Sequence, residues 1–251
     1  MSSTYLTIDR GNTAYKVALW RDSEMLRYDV YPTLAVAMES MTSMAAQPAC
    51  AIYCSVGDGR EADMGMLANL GIKVVEMTPS MPLPIRIGYS PVATLGTDRV
   101  AAAVGAATRW PGRWVLIVDA GTAVTYDVVD DSGTFIGGNI APGIGMRLEA
   151  LNRYTARLPR LSTPESVDTA TPFGHDTVSA MIKGAVYGIA GSMDYYRRAL
   201  PPDTVTVVTG GNARLIASAC AEGTLEVEPT LVTQGLIHTL LYNKRLTDEN
   251  K

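Results

Sequence analysis

One short pattern occurs twice in this chain, and it limits what the chain can fold into. Tyr5-Leu-Thr-Ile-Asp9 is an apolar run that ends in Arg10-Gly-Asn-Thr-Ala14 and resumes as the alternating run Tyr15 to Trp20. Further on, Trp114-Val-Leu-Ile-Val-Asp119 ends in Ala120-Gly-Thr-Ala123 and resumes as Val124 to Val129. Each copy continues with a third strand segment, Met25 to Val30 and Thr134 to Ile140, the latter behind the turn Asp130-Asp-Ser-Gly133. Strand, Asp-x-Gly-(Asn)-Thr-Ala, strand, strand is therefore a unit used twice.

Helical and strand patterns alternate after each triplet. In the first half they predict a helix over Leu34 to Met44, a strand Ala51 to Ser55, a helix Glu61 to Leu70 and a strand Ile72 to Met77. The second half predicts a helix over Met146 to Asn152, a long helix Thr177 to Leu200 and a strand Thr204 to Val208. A helix Asn212 to Ala221, a strand Leu225 to Val227 and a C-terminal helix Val232 to Tyr242 follow. Three antiparallel strands followed by alternating helices and strands, repeated once, make a two-lobed α/β architecture with a central cleft. The stretch Thr78 to Leu95, with Pro79, Pro82, Pro84 and Pro91 replaced nowhere by a periodic pattern, reads as an ordered loop. A helix over Thr94 to Arg109 leads into the second lobe, so the lobes are placed at 1–111 and 112–251.

The length of 251 residues accommodates such a pair of lobes. Apolar residues at 47% and charged residues at 18% belong to an ordinary globular protein. A formal charge of −4 with no Lys/Arg block argues against nucleic acid or an anionic membrane as partner and favours a small-molecule ligand. Cys50, Cys54 and Cys220 are odd in number and form no zinc set, so a reducing compartment is expected, with Cys50 and Cys54 as small residues on one face of a buried strand. The first residues lack a signal-peptide pattern, and no apolar run reaches the roughly 20 residues that span a bilayer. The expected location is the cytoplasm.

In both copies an acidic residue ends a strand and a glycine makes the tight turn, so backbone N–H groups and a Thr hydroxyl converge. Such a turn is an anion cradle, and the carboxylate beside it can hold the cation that accompanies a phosphate. Two copies that merely cap two hairpins are the alternative. No GxxxxGK[ST], GxGxxG or GxSxG is present, which removes Walker, Rossmann and serine-hydrolase sites. His175 and His238 are isolated. Gly96-Thr-Asp-Arg99 opens an Ala-rich helix, where Asp98 either caps the helix or accepts a hydroxyl proton during phosphoryl transfer, with Arg99 available for a carboxylate or phosphate. Thr209-Gly-Gly211 ends a strand, and the missing Cβ atoms either admit a flat base or serve a strand-to-helix turn.

Taken together, these residues resemble type III pantothenate kinases, of the superfamily of acetate and sugar kinases, heat-shock ATPases and actin. Asp9-Arg-Gly-Asn-Thr13 with Lys16 is similar to that family's first phosphate motif, Gly96 to Arg99 to its substrate motif, and Asp119 to Ala123 to its second phosphate motif. Phe135 to Gly143, Leu151 to Pro159, Gly174 to Thr177 and Thr209 to Gly211 extend the likeness. The resemblance implies a duplicated ribonuclease H-like, actin-like ATPase fold and ATP-dependent phosphorylation of pantothenate to 4'-phosphopantothenate in coenzyme A biosynthesis. It implies that Asp9, Arg10, Gly11, Asn12, Thr13, Ala14, Tyr15, Lys16 and Thr122 bind ATP, with Asp9 near the magnesium. Asp119 is implied as the ligand of a monovalent cation, potassium or ammonium. Tyr89, Gly96, Thr97, Asp98 and Arg99 are implied to hold pantothenate, with Asp98 as base and Thr177 contributed by the partner of a homodimer. Arg10 departs from the resemblance, since the family usually has a small or aliphatic residue there.

Two other functions share this fold. A sugar or polyphosphate kinase would keep Asp9, Asp119 and the Gly-Gly turn but has no reason for Gly-Thr-Asp-Arg. A regulatory protein without catalysis would be free to lose Asp9, Asp98, Arg99 or Asp119, and all four are present.

Overall fold

The computed structural model describes residues 3–42, 48–55, 59–220 and 225–249. Two compact units account for them, Met1–Arg109 with Thr230–Lys251, and Trp110–Pro229. Among the described residues no helix is long and apolar enough to cross a membrane.

The first unit is built on a five-stranded sheet. Strands β1 (Thr4–Arg10), β2 (Tyr15–Arg21) and β3 (Glu24–Tyr31) pair antiparallel in succession, as the first triplet predicts. Strands β4 (Cys50–Ser55) and β5 (Val74–Glu76) add in parallel on the other side of β1, giving the order β3-β2-β1-β4-β5. Five consecutive residues of β1 are buried, which is what a strand covered on both faces requires. Helix α1 (Leu34–Thr42) connects β3 to β4 and buries Leu34, Ala37, Met38 and Met41, an i, i+3, i+4, i+7 stripe set against Leu6, Ile8, Val17 and Leu19. Burying each of the larger side chains in that stripe is worth about 1.5–3 kcal/mol. The predicted end of this helix at Met44 lies outside the described residues. Helix α2 (Arg60–Asn69) connects β4 to β5 and adds Leu67 to the same core. The proline-rich stretch is irregular apart from the two-residue β6 (Arg86–Ile87) and a 3-10 turn at Val92–Thr94, and it leads into α3 (Thr97–Arg109).

The second unit repeats the plan. Strands β7 (Val115–Ala120), β8 (Ala123–Val129) and β9 (Thr134–Pro142) are antiparallel, and β10 (Val205–Thr209) and β11 (Glu226–Val227) follow in parallel, in the order β11-β10-β7-β8-β9. Helices α4 (Ile144–Tyr154), α5 (Thr177–Arg198) and α6 (Ala213–Ser218) bury Ile144, Leu148, Met181, Ile189, Met193 and Ile216 around Leu116, Val118 and Val208. The predicted end of α6 at Ala221 lies outside the described residues. A capping box starts α5: the Asp176 carboxylate accepts from Ser179 N at 2.9 Å, and the Ser179 hydroxyl accepts from Asp176 N at 3.2 Å.

The C-terminal helix differs from the sequence expectation. As α7 (Leu231–Glu249) it is longer than predicted and belongs to the first unit, not to a lobe spanning 112–251. It lies along α3, and the reason is steric. A Cβ on Gly235 would collide with the Ala101 carbonyl, and one on Gly105 would collide with the Leu231 carbonyl, so the two backbones meet where both helices lack side chains. Ala101, Ala102, Ala103 and Ala106 keep the rest of that face small. Lys244 also bonds the Tyr5 hydroxyl on β1.

Candidate functional site

In the first unit the candidate residues gather at the C-terminal ends of the parallel strands, where open α/β sheets bind ligands. Gly11 N donates to Ala14 O at 3.1 Å and closes the β1–β2 turn, which leaves Asn12 and Thr13 exposed at its tip. Asp9, only 4% exposed, faces Lys16 across the ladder, with the ammonium 3.2 Å from its Oδ2. Arg10 instead turns to Asp63 on α2, 2.8 Å away.

The parallel register sets Asp9 beside Cys54 on β4, so both side chains leave the same face of the sheet. Cys54 is fully buried, and its thiol donates to Thr97 Oγ1 at 3.1 Å. Thr97 in turn donates to Ser55 O at 3.4 Å, which ties the start of α3 to the end of β4. The next residue, Asp98, has its Oδ1 accepting from Arg99 N at 2.8 Å and folded over Gly96, where a Cβ would crowd it. Burial, then the charge of Asp9, and further on that of Asp98, push the Cys54 thiol well above the ordinary range. The strand register and the bond to Thr97 thus set one buried sulfur beside Asp9 and beside the residue that precedes Asp98. Arg99 is buried, with its guanidinium 5.6 Å from the centre of the Tyr89 ring. Asp9, Lys16, Tyr89, Gly96, Thr97, Asp98 and Arg99 therefore form one connected set.

The second unit assembles an equivalent corner from three turns. Gly121 N donates to Ala123 O at 3.0 Å, closing the β7–β8 turn with Thr122 exposed. Gly143 N donates to Thr122 O at 3.1 Å, and a Cβ on Gly143 would overlap the Gly121 and Thr122 carbonyls. The Gly-Gly turn after β10 embraces the same hairpin. Gly210 has φ +88°, a Cβ there would strike Asp119 Oδ1, and Asn212 N donates to Ala120 O at 2.9 Å. Thr209 stands in register with Asp119, as Cys54 does with Asp9. Its hydroxyl is fully buried and has no hydrogen-bond partner among the described residues. A half-buried carboxylate, an orphaned hydroxyl and carbonyl-rich turns form an all-oxygen set of the kind that holds a hard cation. Among the described residues no three or more His, Cys, Asp or Glu side chains group into a metal-holding cluster.

Thr177 lies elsewhere in the second unit, exposed in the first turn of α5. Its segment is held by Lys183, a buried ammonium that donates to Thr171 O at 2.6 Å, Phe173 O at 3.3 Å and Asp168 Oδ2 at 3.2 Å. Sequence reading gave Cys54 no more than a place on a buried strand and Thr209 no more than the start of the Gly-Gly turn, and it passed over Asp63. Only strand register and long-range bonds bring them to the site.

Residues 5–199 match the family model for type III pantothenate kinase. The chain belongs to the type III pantothenate kinase family. A type III pantothenate kinase of Porphyromonas gingivalis is 34% identical over 241 residues, covering 95% of this chain and 98% of its own length. Two solved structures share the fold. A Campylobacter jejuni protein described as a Baf family transcriptional activator superposes with a TM-score of 0.63 at 20% identity, covering 96% of this chain and 99% of its own. An Arthrobacter inorganic polyphosphate/ATP-glucomannokinase superposes with a TM-score of 0.50 at 13% identity, covering 97% and 99%. The architecture is the two-lobed ribonuclease H-like fold of actin-like ATPases and sugar kinases.

Proposed function

We propose an assignment of residues to the family's reaction. That reaction follows from family membership: the chain is a kinase that phosphorylates pantothenate to 4'-phosphopantothenate in coenzyme A biosynthesis, with ATP as the implied donor. Asp98 is the base. It accepts the proton of the pantothenate hydroxyl as that oxygen bonds the γ-phosphorus and the bond to the β-phosphate oxygen breaks, releasing ADP. What supports this assignment is the register of Asp9 beside Cys54 together with the bond from the Cys54 thiol to Thr97, the residue before Asp98.

Asp9 and the turn from Gly11 to Lys16 hold the ATP phosphates. Asp9 would hold the magnesium that accompanies ATP, and that ion would neutralise charge developing on the phosphates. Arg99, Tyr89, Gly96 and Thr97 hold pantothenate, Arg99 serving its carboxylate. Asp119 with the Thr209 hydroxyl would hold potassium or ammonium. Arg10 takes part through its backbone, since its guanidinium is engaged by Asp63. Thr177 completes the substrate pocket of a second copy in a cytoplasmic homodimer.

A coupled ADP-release assay across pantothenate, hexoses and polyphosphate tests the reading. Turnover confined to pantothenate is expected. Turnover of a hexose without pantothenate moves the chain to another kinase class, and no turnover with any acceptor favours a regulatory role.

A further inference from the structure

Arg10 and Tyr15 are the two residues that flank the Gly11–Ala14 turn, and they are partners across the β1–β2 ladder. Both reach the same carboxylate. Arg10 Nη1 lies 2.8 Å from Asp63 Oδ2, and the Tyr15 hydroxyl donates to Asp63 at 3.1 Å from each oxygen. The Tyr53 hydroxyl, from β4, donates to Asp63 Oδ2 at 2.6 Å. Burial, then the bond to Asp63, push the Tyr53 phenol up to about 12. The guanidinium also stacks 5.4 Å from the centre of the Tyr15 ring and rests on Gly59, which has φ +94° and where a Cβ would meet Nη2 at 2.6 Å.

Asp63 itself is 6% exposed, in the first turn of α2. A carboxylate is costly to bury unless its oxygens are filled, and here one cation and two hydroxyls from three strands fill them. The carboxylate therefore anchors both ends of the turn to α2. An aliphatic side chain at position 10 could not bond Asp63 and would leave one end of the turn untied.

We propose that Asp63 is a positioning residue for nucleotide binding: by gripping Arg10 and Tyr15 it holds the turn's N–H groups in the conformation that receives phosphates. This rests on the reading of that turn as the ATP site. Preorganised donors bind without the ordering cost that a mobile turn incurs. The grip acts on ATP alone, because Asp98, Arg99 and Tyr89 stand on other elements.

Steady-state kinetics and equilibrium binding of Mg-ATP to the full chain test it, with thermal melting to verify folding. Asp63→Leu is expected to raise KM and Kd for ATP by about 10-fold, a change of ~1.4 kcal/mol, while KM for pantothenate stays unchanged. Asp63→Glu is expected to recover part of the loss, and Arg10→Leu added to Asp63→Leu to cost less than the sum of the two, since the pair acts as a unit. A folded Asp63→Leu variant with unchanged ATP affinity overturns the proposal. So does an Arg10→Leu loss far larger than that of Asp63→Leu, which would make Arg10 a direct phosphate ligand. Where Asp63→Leu does not fold, Tyr15→Phe carries the same test, with a smaller rise in KM for ATP expected and no rise overturning it. Asp9→Asn separates the two levels: if it leaves ATP binding intact, the turn is not the phosphate site and the underlying reading fails first.

Discussion

Cys54 donates its thiol proton to the Thr97 hydroxyl at 3.1 Å, and through that bond the central sheet of the first unit holds the start of α3. One residue further along α3 stands Asp98, and beside Cys54 in the ladder stands Asp9. A thiol that forms a weak hydrogen bond is well chosen for this place. It stays neutral near two carboxylates, where an anionic side chain would be repelled by both.

Asp98→Asn is expected to lower kcat by about 100-fold or more, the usual scale for losing a general base. Binding of Mg-ATP, followed by calorimetry, should change little, since Asp98 sits on the substrate motif. Retained turnover would remove Asp98 from that role.

The raised Cys54 pKa makes stability depend on alkaline pH. The native thiol holds its proton where the unfolded thiol has lost it, so folding binds a proton above the unfolded value, about 8.5. The contribution is complete below that pH and declines as pH rises toward the folded pKa. Melting temperatures measured from pH 7 to 10 should fall less steeply in Cys54→Ala than in the parent chain. Equal slopes would show that other groups set the dependence.

Thr209→Val replaces an orphaned hydroxyl by a methyl of the same shape. Without potassium the variant should be equal or more stable, by up to roughly 1 kcal/mol, because an unsatisfied buried group is removed. With potassium added, the rise in melting temperature expected for the parent should shrink, and in Asp119→Ala it should vanish. A full response in both variants would place the cation elsewhere.

Gly235→Ala drives a methyl into the Ala101 carbonyl on α3. The loss expected in urea unfolding is about 1–3 kcal/mol, the range for overpacking a close interface. A neutral effect would mean that α3 and α7 separate without cost.

Lys183→Met leaves the Thr171 and Phe173 carbonyls without their buried donor. Unfolding free energy should fall by roughly 1–3 kcal/mol. Proteolysis should move to the segment before α5, and an unchanged cleavage pattern would show that the capping box at Asp176 holds that segment unaided.

The duplicated strand pattern was legible because it is local. Alternation and apolar runs specify β1 to β3 and β7 to β9, and Gly11 and Gly121 mark turns whose geometry needs no distant partner. Asp9, Asp98, Arg99 and Asp119 were legible for the same reason, as polar residues at the ends of apolar elements. Most helix and strand ends fell within a few residues of expectation, since fraying at the ends depends on packing more than on sequence.

Cys54, Asp63 and the seat of α7 were not legible, because their meaning comes from partners far along the chain. Cys54 meets Thr97 across 43 residues and Arg10 meets Asp63 across 53, distances over which no periodicity speaks. A C-terminal amphipathic helix declares which face it buries and says nothing of what it buries that face against. Local chemistry thus determined the two matching sheets and the acids at their strand ends. Which helix returns to which sheet, and which side chains grip the turns, was decided only when the folded chain brought bare helix faces and buried polar groups to partners that could satisfy them.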